Sequence, residues 1–293
     1  WPDRGGEAEL LQHWLGYCLT PDTSQQKMLM LTGPKRSGKG TIARTLTALV
    51  GRGNVCGPTL SGLGTPFGLQ PLLGKLVGII GDARISGRTD QAVVVERLLS
   101  ITGEDGVTID RKNRDMITAQ LPTRLVLLSN EVPSLKDSSG ALASRMLFLP
   151  MSISAYGRED VGLGDRIAAE MPQILRWAVD GWHSLRDARR FPETASQAAS
   201  METMTSLGSP ITSFVEDVCD VDPEGWVSLS LLYERYRAWA ETQGIRSVAL
   251  GHFARDLKAA VPGVETTKKR FGNGVRMRIA TGLTIPNAQD VLH

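Results

Sequence analysis

The segment running from Lys27-Met-Leu-Met-Leu-Thr through Gly33-Pro34-Lys35-Arg36-Ser37-Gly38-Lys39-Gly40-Thr41 constrains the fold more than any other part of the chain. Residues 27–31 form a short apolar run, the pattern of a buried strand. Gly33 to Lys39 matches G-x-x-x-x-G-K, and residues 41–50 are helical in pattern and closed by Gly51. In a strand, glycine-rich turn and helix, main-chain N–H groups and the helix N-terminus bind phosphate while the lysine reaches the β and γ oxygens. We therefore expect Gly33, Pro34, Arg36, Ser37, Gly38, Lys39, Gly40 and Thr41 to bind a nucleoside triphosphate. Gly40 stands where Ser or Thr usually follows the lysine, so Thr41 is the expected hydroxyl beside magnesium. The plainer alternative is a glycine-rich turn that only caps a helix.

Further apolar runs at 76–80, 124–129 and 146–149 alternate with helical patterns at 7–19 and 91–101, which predicts an α/β fold with a central parallel sheet. Helices follow over 165–187, then a Ser-, Thr- and Ala-rich stretch. Beyond it, helices at 211–219, 229–242 and 249–261 precede two strands within 264–280, joined around Gly272-Asn273-Gly274. Helices followed by a basic hairpin describe a small winged-helix-like α+β domain. The expected organisation is a lead-in over 1–26, a P-loop core over 27–193, a linker over 194–209, the winged-helix-like domain over 210–282, and an unstructured tail over 283–293. Trp226, Tyr233, Tyr236 and Trp239 are expected in the core of the second domain.

Composition narrows the class. At 293 residues the chain has room for two domains, and 33 Lys+Arg against 31 Asp+Glu leaves a net charge of +2. So even a balance does not argue for nucleic acid by itself, and that case rests on local clusters. Cys18, Cys56 and Cys219 are far apart and odd in number, which argues against a disulfide framework or a cysteine zinc site and for a reducing cytoplasm. No apolar run approaches the roughly 20 residues that cross a bilayer. The chain opens at Trp1 without a Met and reads as part of something longer.

Three polar positions carry candidate chemistry. Asp82 follows the strand at 76–80, where a carboxylate can hold magnesium. Asn130 ends the strand at 124–129, where an amide can orient the attacking water, or where Asn130-Glu131-Val132-Pro133 is only a turn. Arg145 precedes the strand at 146–149, where a guanidinium can reach a neighbouring subunit's nucleotide or form a surface ion pair. Ala83 and Arg84 follow Asp82 where a second acid is usual, so the base is left open among Glu131, Glu104, Asp105 and Asp82 itself. Between Asp82 and Asn130 lies a predicted hairpin, Val107–Ile109 and Met116–Ala119, whose tip carries Arg111, Lys112 and Arg114. These cations suit phosphate contacts with a single strand; a solvated basic turn is the alternative. Lys268, Lys269 and Arg270, with Arg276 and Arg278 on the returning strand, form a second basic group that suits DNA backbone or packing.

In order, TGPKRSGKGT, GDARISGRTDQ, GEDGVTIDRKNRD, PTRLVLLSNEVP and SGALASR resemble the superfamily III helicase region of phage and plasmid primase–helicases over about Leu10 to Leu185. The resemblance implies a modified AAA+ core that uses ATP and Mg2+ and a homo-oligomeric ring, hexameric by family habit, on single-stranded and forked DNA in a bacterial host cell. It also implies an upstream primase or primase–polymerase domain. By position it assigns Lys39 and Thr41 to the phosphate motif, Asp82 to the acid, Asn130 to the sensor, Lys112 to the DNA-engaging hairpin and Arg145 to the arginine finger. Two other functions compete: a non-translocating AAA+ switch or loader on DNA, and a small-molecule kinase. The kinase would need an Arg-rich lid, whereas residues 51–74 are glycine-rich and nearly uncharged.

Overall fold

The computed structural model describes residues 6–83, 90–133, 135, 137, 140–208, 210–243, 247–261, 263–270 and 276–286. Most of the GDARISGRTDQ segment and the Gly272-Asn273-Gly274 turn lie outside these residues. The described chain forms two compact units, one essentially up to Met204 and the other from Thr205 onward.

In the first unit, β1 (Met28–Thr32), β2 (Val55–Cys56), β3 (Val77–Ile80), β6 (Arg124–Ser129) and β7 (Met146–Pro150) make a five-stranded sheet in the order β2-β3-β6-β1-β7. Every pairing is parallel. Successive side chains of a strand point to opposite faces, and the sequence fills both. Met28, Met30, Leu125, Leu127, Met146 and Phe148 enter one core, with Val94, Leu98 and Ile101 of α4 (Gln91–Thr102). Leu29, Leu31, Val126, Leu128, Leu147 and Leu149 enter the other, with α1 (Glu7–Tyr17), α2 (Lys39–Val50) and α7 (Met171–Ala188). This explains the unbroken apolar runs of the strands: a parallel sheet covered by helices has no wet face. Short helices α3 (Leu60–Leu63), α5 (Ala141–Ser144) and α6 (Leu163–Ala169) complete the layers. A Cβ on Gly16 would stand 2.1 Å from the Ala178 carbonyl, and one on Gly181 2.5 Å from that of Gln12, so α1 and α7 cross backbone to backbone.

β4 (Val107–Arg111) and β5 (Arg114–Ala119) form an antiparallel hairpin between β3 and β6 in the chain. The stretch expected as a linker contains the boundary between the two units and is helical, α8 (Ala195–Gly208). Its Gln197 donates to the Met146 carbonyl (2.7 Å) and accepts from Phe148 N–H (2.7 Å). That carboxamide closes the outer edge of β7 as a further strand residue would. Ser196 donates to Glu7 (3.0 Å) and Met204 is buried in the first core, so separate contacts hold the helix without a continuous apolar stripe.

The second unit runs α9 (Pro210–Val218), β8 (Asp220–Ser228), α10 (Leu229–Thr242), α11 (Leu250–Ala260), β9 (Glu265–Arg270) and β10 (Arg276–Thr284). Its antiparallel sheet has the order β8-β10-β9, and the whole is winged-helix-like. Phe214, Tyr236 and Phe253 pack ring against ring at its centre, with Tyr233 and Trp239 beside them. Trp226 departs from expectation: it lies on the other face of the sheet, with Lys269 Nζ 4.8 Å from its ring centroid. The expected tail also starts later, since Leu283 and Thr284 continue β10 and Leu283 and Ile285 are buried. No helix among the described residues is long and apolar enough to cross a membrane.

Candidate nucleotide-binding site

The P-loop leaves the end of β1, an inner strand between β6 and β7. Gly33 (φ +146) and Gly38 (φ +98) adopt backbone that side chains disfavour, and a Cβ on Gly33 would meet the Met151 carbonyl at 2.2 Å. Arg36 also has positive φ, 60°. Residues after β7 hold the loop in this shape: Met151 N–H donates to Thr32 (2.8 Å), Ser154 Oγ to the Lys35 carbonyl (2.7 Å), and Ala155 N–H to that of Arg36 (3.0 Å). Sequence reading missed this brace. It follows from register, because β7 pairs with β1 up to Thr32↔Pro150 and the chain beyond must pass over the loop.

Lys39 opens α2. Its ammonium donates to the carbonyls of Gly33 (2.5 Å) and Pro34 (2.8 Å), to Ser37 Oγ (3.3 Å), and at 3.5 Å to Asn130 Oδ1. Burial lowers its pKa. Asn130 follows β6, whose Ser129 pairs with Thr32, so amide and lysine meet across adjacent strand ends. Asp82 leaves the end of β3, the strand on the other side of β6, and Ala83 N–H continues that ladder to the Leu128 carbonyl (3.0 Å). Lys39, Asn130 and Asp82 thus share the carboxyl edge of the sheet, where open α/β sheets bind ligands. Thr41 Oγ1 accepts from Arg44 (3.1 Å). With Ile42, Leu11, Leu15, Ile174 and Trp177 it borders an apolar cavity of about 190 Å³. Pro34 and Arg36 are exposed, and Arg36 pairs with Glu159 at 3.3 Å.

Arg145 is on the opposite edge. Its carbonyl accepts from Met28 N–H (2.9 Å) at the start of β1, and at about 3.3 Å per residue that strand puts roughly 16 Å between it and the P-loop. Its guanidinium donates to the Leu99 carbonyl (2.5 Å) and Thr102 Oγ1 (3.4 Å), closing the C-terminus of α4. Lys27 is on the same edge, its pKa lowered by burial and then by Arg145. So is Glu104, whose carboxylate accepts from Thr23 Oγ1 (2.5 Å), with Asp105 next to it. Of the candidate bases, only Glu131 and Asp82 lie on the P-loop edge.

The β4–β5 tip is Lys112-Asn113, with Asn113 at φ 58°. Arg111 and Arg114 pair across the strands. Arg111 Nε donates to the Asp115 carbonyl (2.9 Å), while Lys112 and Arg114 are exposed.

Fold and site together define a P-loop α/β protein of AAA+-like strand order with a winged-helix-like second unit. A family of unknown function (DUF5906) matches residues 31–145, and a Poxvirus D5 protein-like family matches residues 209–281. The apo structure of the NrS-1 C terminal region aligns over 94% of this chain and 71% of that one, at 16% identity and a TM-score of 0.57. Its A form gives 0.55 at 15% identity, over 93% of this chain and 71% of that one. JCV helicase aligns more loosely, with a TM-score of 0.35 at 17% identity over 69% of this chain and 60% of that one. The likeness to the NrS-1 C terminal region shows a shared fold.

Proposed function

We propose that the chain is an ATP-dependent DNA helicase motor that works as a ring on single-stranded DNA during phage- or plasmid-type replication. The observation that carries this is the convergence of Lys39 and Asn130 at the P-loop edge while Arg145 stands on the far edge of the same sheet. A finger so placed serves only another copy's nucleotide, which makes the site complete between subunits.

In this reading the triphosphate lies along the P-loop amides, and the base rests in the apolar cavity beside α2. Lys39 exchanges its Gly33 and Pro34 carbonyls for β and γ oxygens. Asn130 orients a water against the γ-phosphorus. The water oxygen bonds to Pγ as the Pγ–O bond to the β-phosphate breaks, Glu131 or Asp82 takes the water's proton, and ADP and inorganic phosphate leave. The donor set for Mg2+ fits only in part. Asp82 lies on the right edge, but Thr41 is engaged by Arg44, and the described residues hold no cluster of three metal-binding side chains. Mg2+ ordinarily uses one or two carboxylates, water and the phosphates themselves; bound there, it would neutralise charge on the phosphates. Lys112 and Arg114 on the exposed hairpin would grip the strand.

Lys39→Ala should abolish ATP hydrolysis and leave the circular-dichroism spectrum native, since among the described residues its ammonium hydrogen-bonds to the loop and Asn130. Normal turnover by a folded variant would remove the basis of this reading. A loader or switch would hydrolyse ATP with DNA but displace no strand, so a forked-substrate assay separates the two.

A further inference from the structure

The residue after a P-loop lysine is usually Ser or Thr. Here it is Gly40, and the space beside it holds a guanidinium. A Cβ on Gly40 would stand 3.3 Å from Arg44 Nη1, closer than side chains ordinarily pack. Arg44 reaches this point because helical side chains lean towards the N-terminus, which carries it back over the preceding turn. There its Nη2 donates to Thr41 Oγ1 at 3.1 Å. Arg44 is exposed, and a guanidinium is a fork of several donors, so a single hydroxyl leaves most of them facing solvent. The position also runs against the helix dipole. Positive charge is disfavoured at a helix N-terminus, and the first turn of α2 contains Lys39 and no acid. An anion lying there would reverse that cost for both cations.

We infer that Arg44 binds the α-phosphate of the nucleotide, a role that rests on the triphosphate reading of this site. The order of residues along α2 selects that phosphate. Lys39 opens the helix and points back to the Gly33 and Pro34 carbonyls, at the end of the loop that takes the β and γ oxygens. Thr41, Ile42 and Thr45 border the apolar cavity that takes the base. The α-phosphate connects the sugar and base to the β-phosphate, so it lies between these two places, at Thr41. Arg44 then exchanges Thr41 Oγ1 for a non-bridging α-oxygen, a charge-assisted bond in place of a neutral one. The same movement releases the Thr41 hydroxyl. Gly40 permits it, since a side chain there would press on the guanidinium.

The test is calorimetric titration of the whole chain with ADP and its sulfur-substituted analogues, without divalent cations. Arg44→Ala should weaken ADP binding about tenfold, the worth of one hydrogen bond to a charged group. Sulfur is a weak hydrogen-bond acceptor, so the unmodified protein should bind one diastereomer of ADP with sulfur on the α-phosphate less well than ADP. Arg44→Ala should lose that preference while keeping any preference against sulfur on the β-phosphate, where Lys39 acts. A role confined to bracing Thr41 would weaken ADP and its α-sulfur analogues alike and leave the preference in place. That result, an unmodified protein indifferent to α-sulfur, or an unchanged ADP affinity in Arg44→Ala would overturn the assignment and leave the motor reading standing. An unmodified protein that binds no ADP at all would instead remove the triphosphate site, and this role with it.

Discussion

Arg145 shows how one side chain can look structural and still be expected to act elsewhere. Within its own chain it caps α4 through the Leu99 carbonyl, and Gly103 leaves room for it: a Cβ there would stand 2.7 Å from Nη1. Arg145→Ala should therefore cost about 1.5 kcal/mol or more, the usual loss for a charged donor on a carbonyl. A cap alone predicts nothing further. The finger reading predicts that Arg145→Ala and Lys39→Ala proteins, each inactive, regain ATPase activity when mixed, because some interfaces then join an intact P-loop to an intact finger. A finger worth about 10³–10⁵ in rate makes even small recovery measurable. Silence in demonstrably mixed assemblies would reduce Arg145 to a cap. At this scale the sequence was legible where a residue ends a strand, as with Asn130 and Asp82. It was not legible where partners come from distant chain: the Ser154 brace on the P-loop and the hold of Glu104 by Thr23 depend on which strand neighbours which.

Among the elements, the long periodic ones were readable because their apolar positions had to match the two faces of one sheet. β8 was not, since Asp-Val-Asp-Pro-Glu-Gly reads as a turn. It is an edge strand, bonded on one side only, and an edge tolerates the proline that a central strand excludes. Helix α8 was missed for the converse reason, because its anchors are scattered, Ser196 on Glu7, Gln197 on β7 and Met204 in the core, and form no apolar stripe. The β4–β5 hairpin was visible in outline, but not the division of labour at its tip. Arg111 ties the hairpin to its own Asp115 carbonyl, while the Lys112 side chain is exposed and its N–H donates to Gln70 (3.1 Å). Lys112→Ala should thus remove one phosphate contact, making the single-strand salt slope shallower by about 0.7, and should abolish the DNA-stimulated part of the ATPase. Arg111→Ala should instead loosen the hairpin, seen as faster amide exchange along β4 and β5. If Lys112→Ala binds single strands with the unmodified slope, the tip is a solvated turn.

For the molecule as a whole, buried titratable groups bound the pH range in which the fold is most stable. Burial holds the thiols of Cys18 and Cys219 up at about 12 and that of Cys56 at about 11, against 9.0 for an unperturbed thiol, and it raises the Tyr17 phenol as well. The folded protein keeps protons that the unfolded chain releases, so this contribution is complete below about pH 9 and is lost as pH rises towards the folded values. His13 limits the other side. Burial lowers its pKa, Glu9 opposing, and neither ring nitrogen has a hydrogen-bond partner. The unfolded chain takes up that proton first, so the contribution of His13 is present above about pH 6.5 and lost as pH falls below it. Urea midpoints should therefore form a plateau between about pH 6.5 and 9 with a limb on each side. Cys18 belongs to the core of the first unit and Cys219 packs against that of the second, so each unit carries its own alkaline limb. Cys18→Ala should flatten the limb of the first unit by about 1.4 kcal/mol per pH unit at most and leave the second unchanged, at the cost of a lower plateau from the vacated space. Followed by amide exchange unit by unit from pH 6 to 11, a limb of undiminished slope in Cys18→Ala would show that this thiol does not set the alkaline boundary.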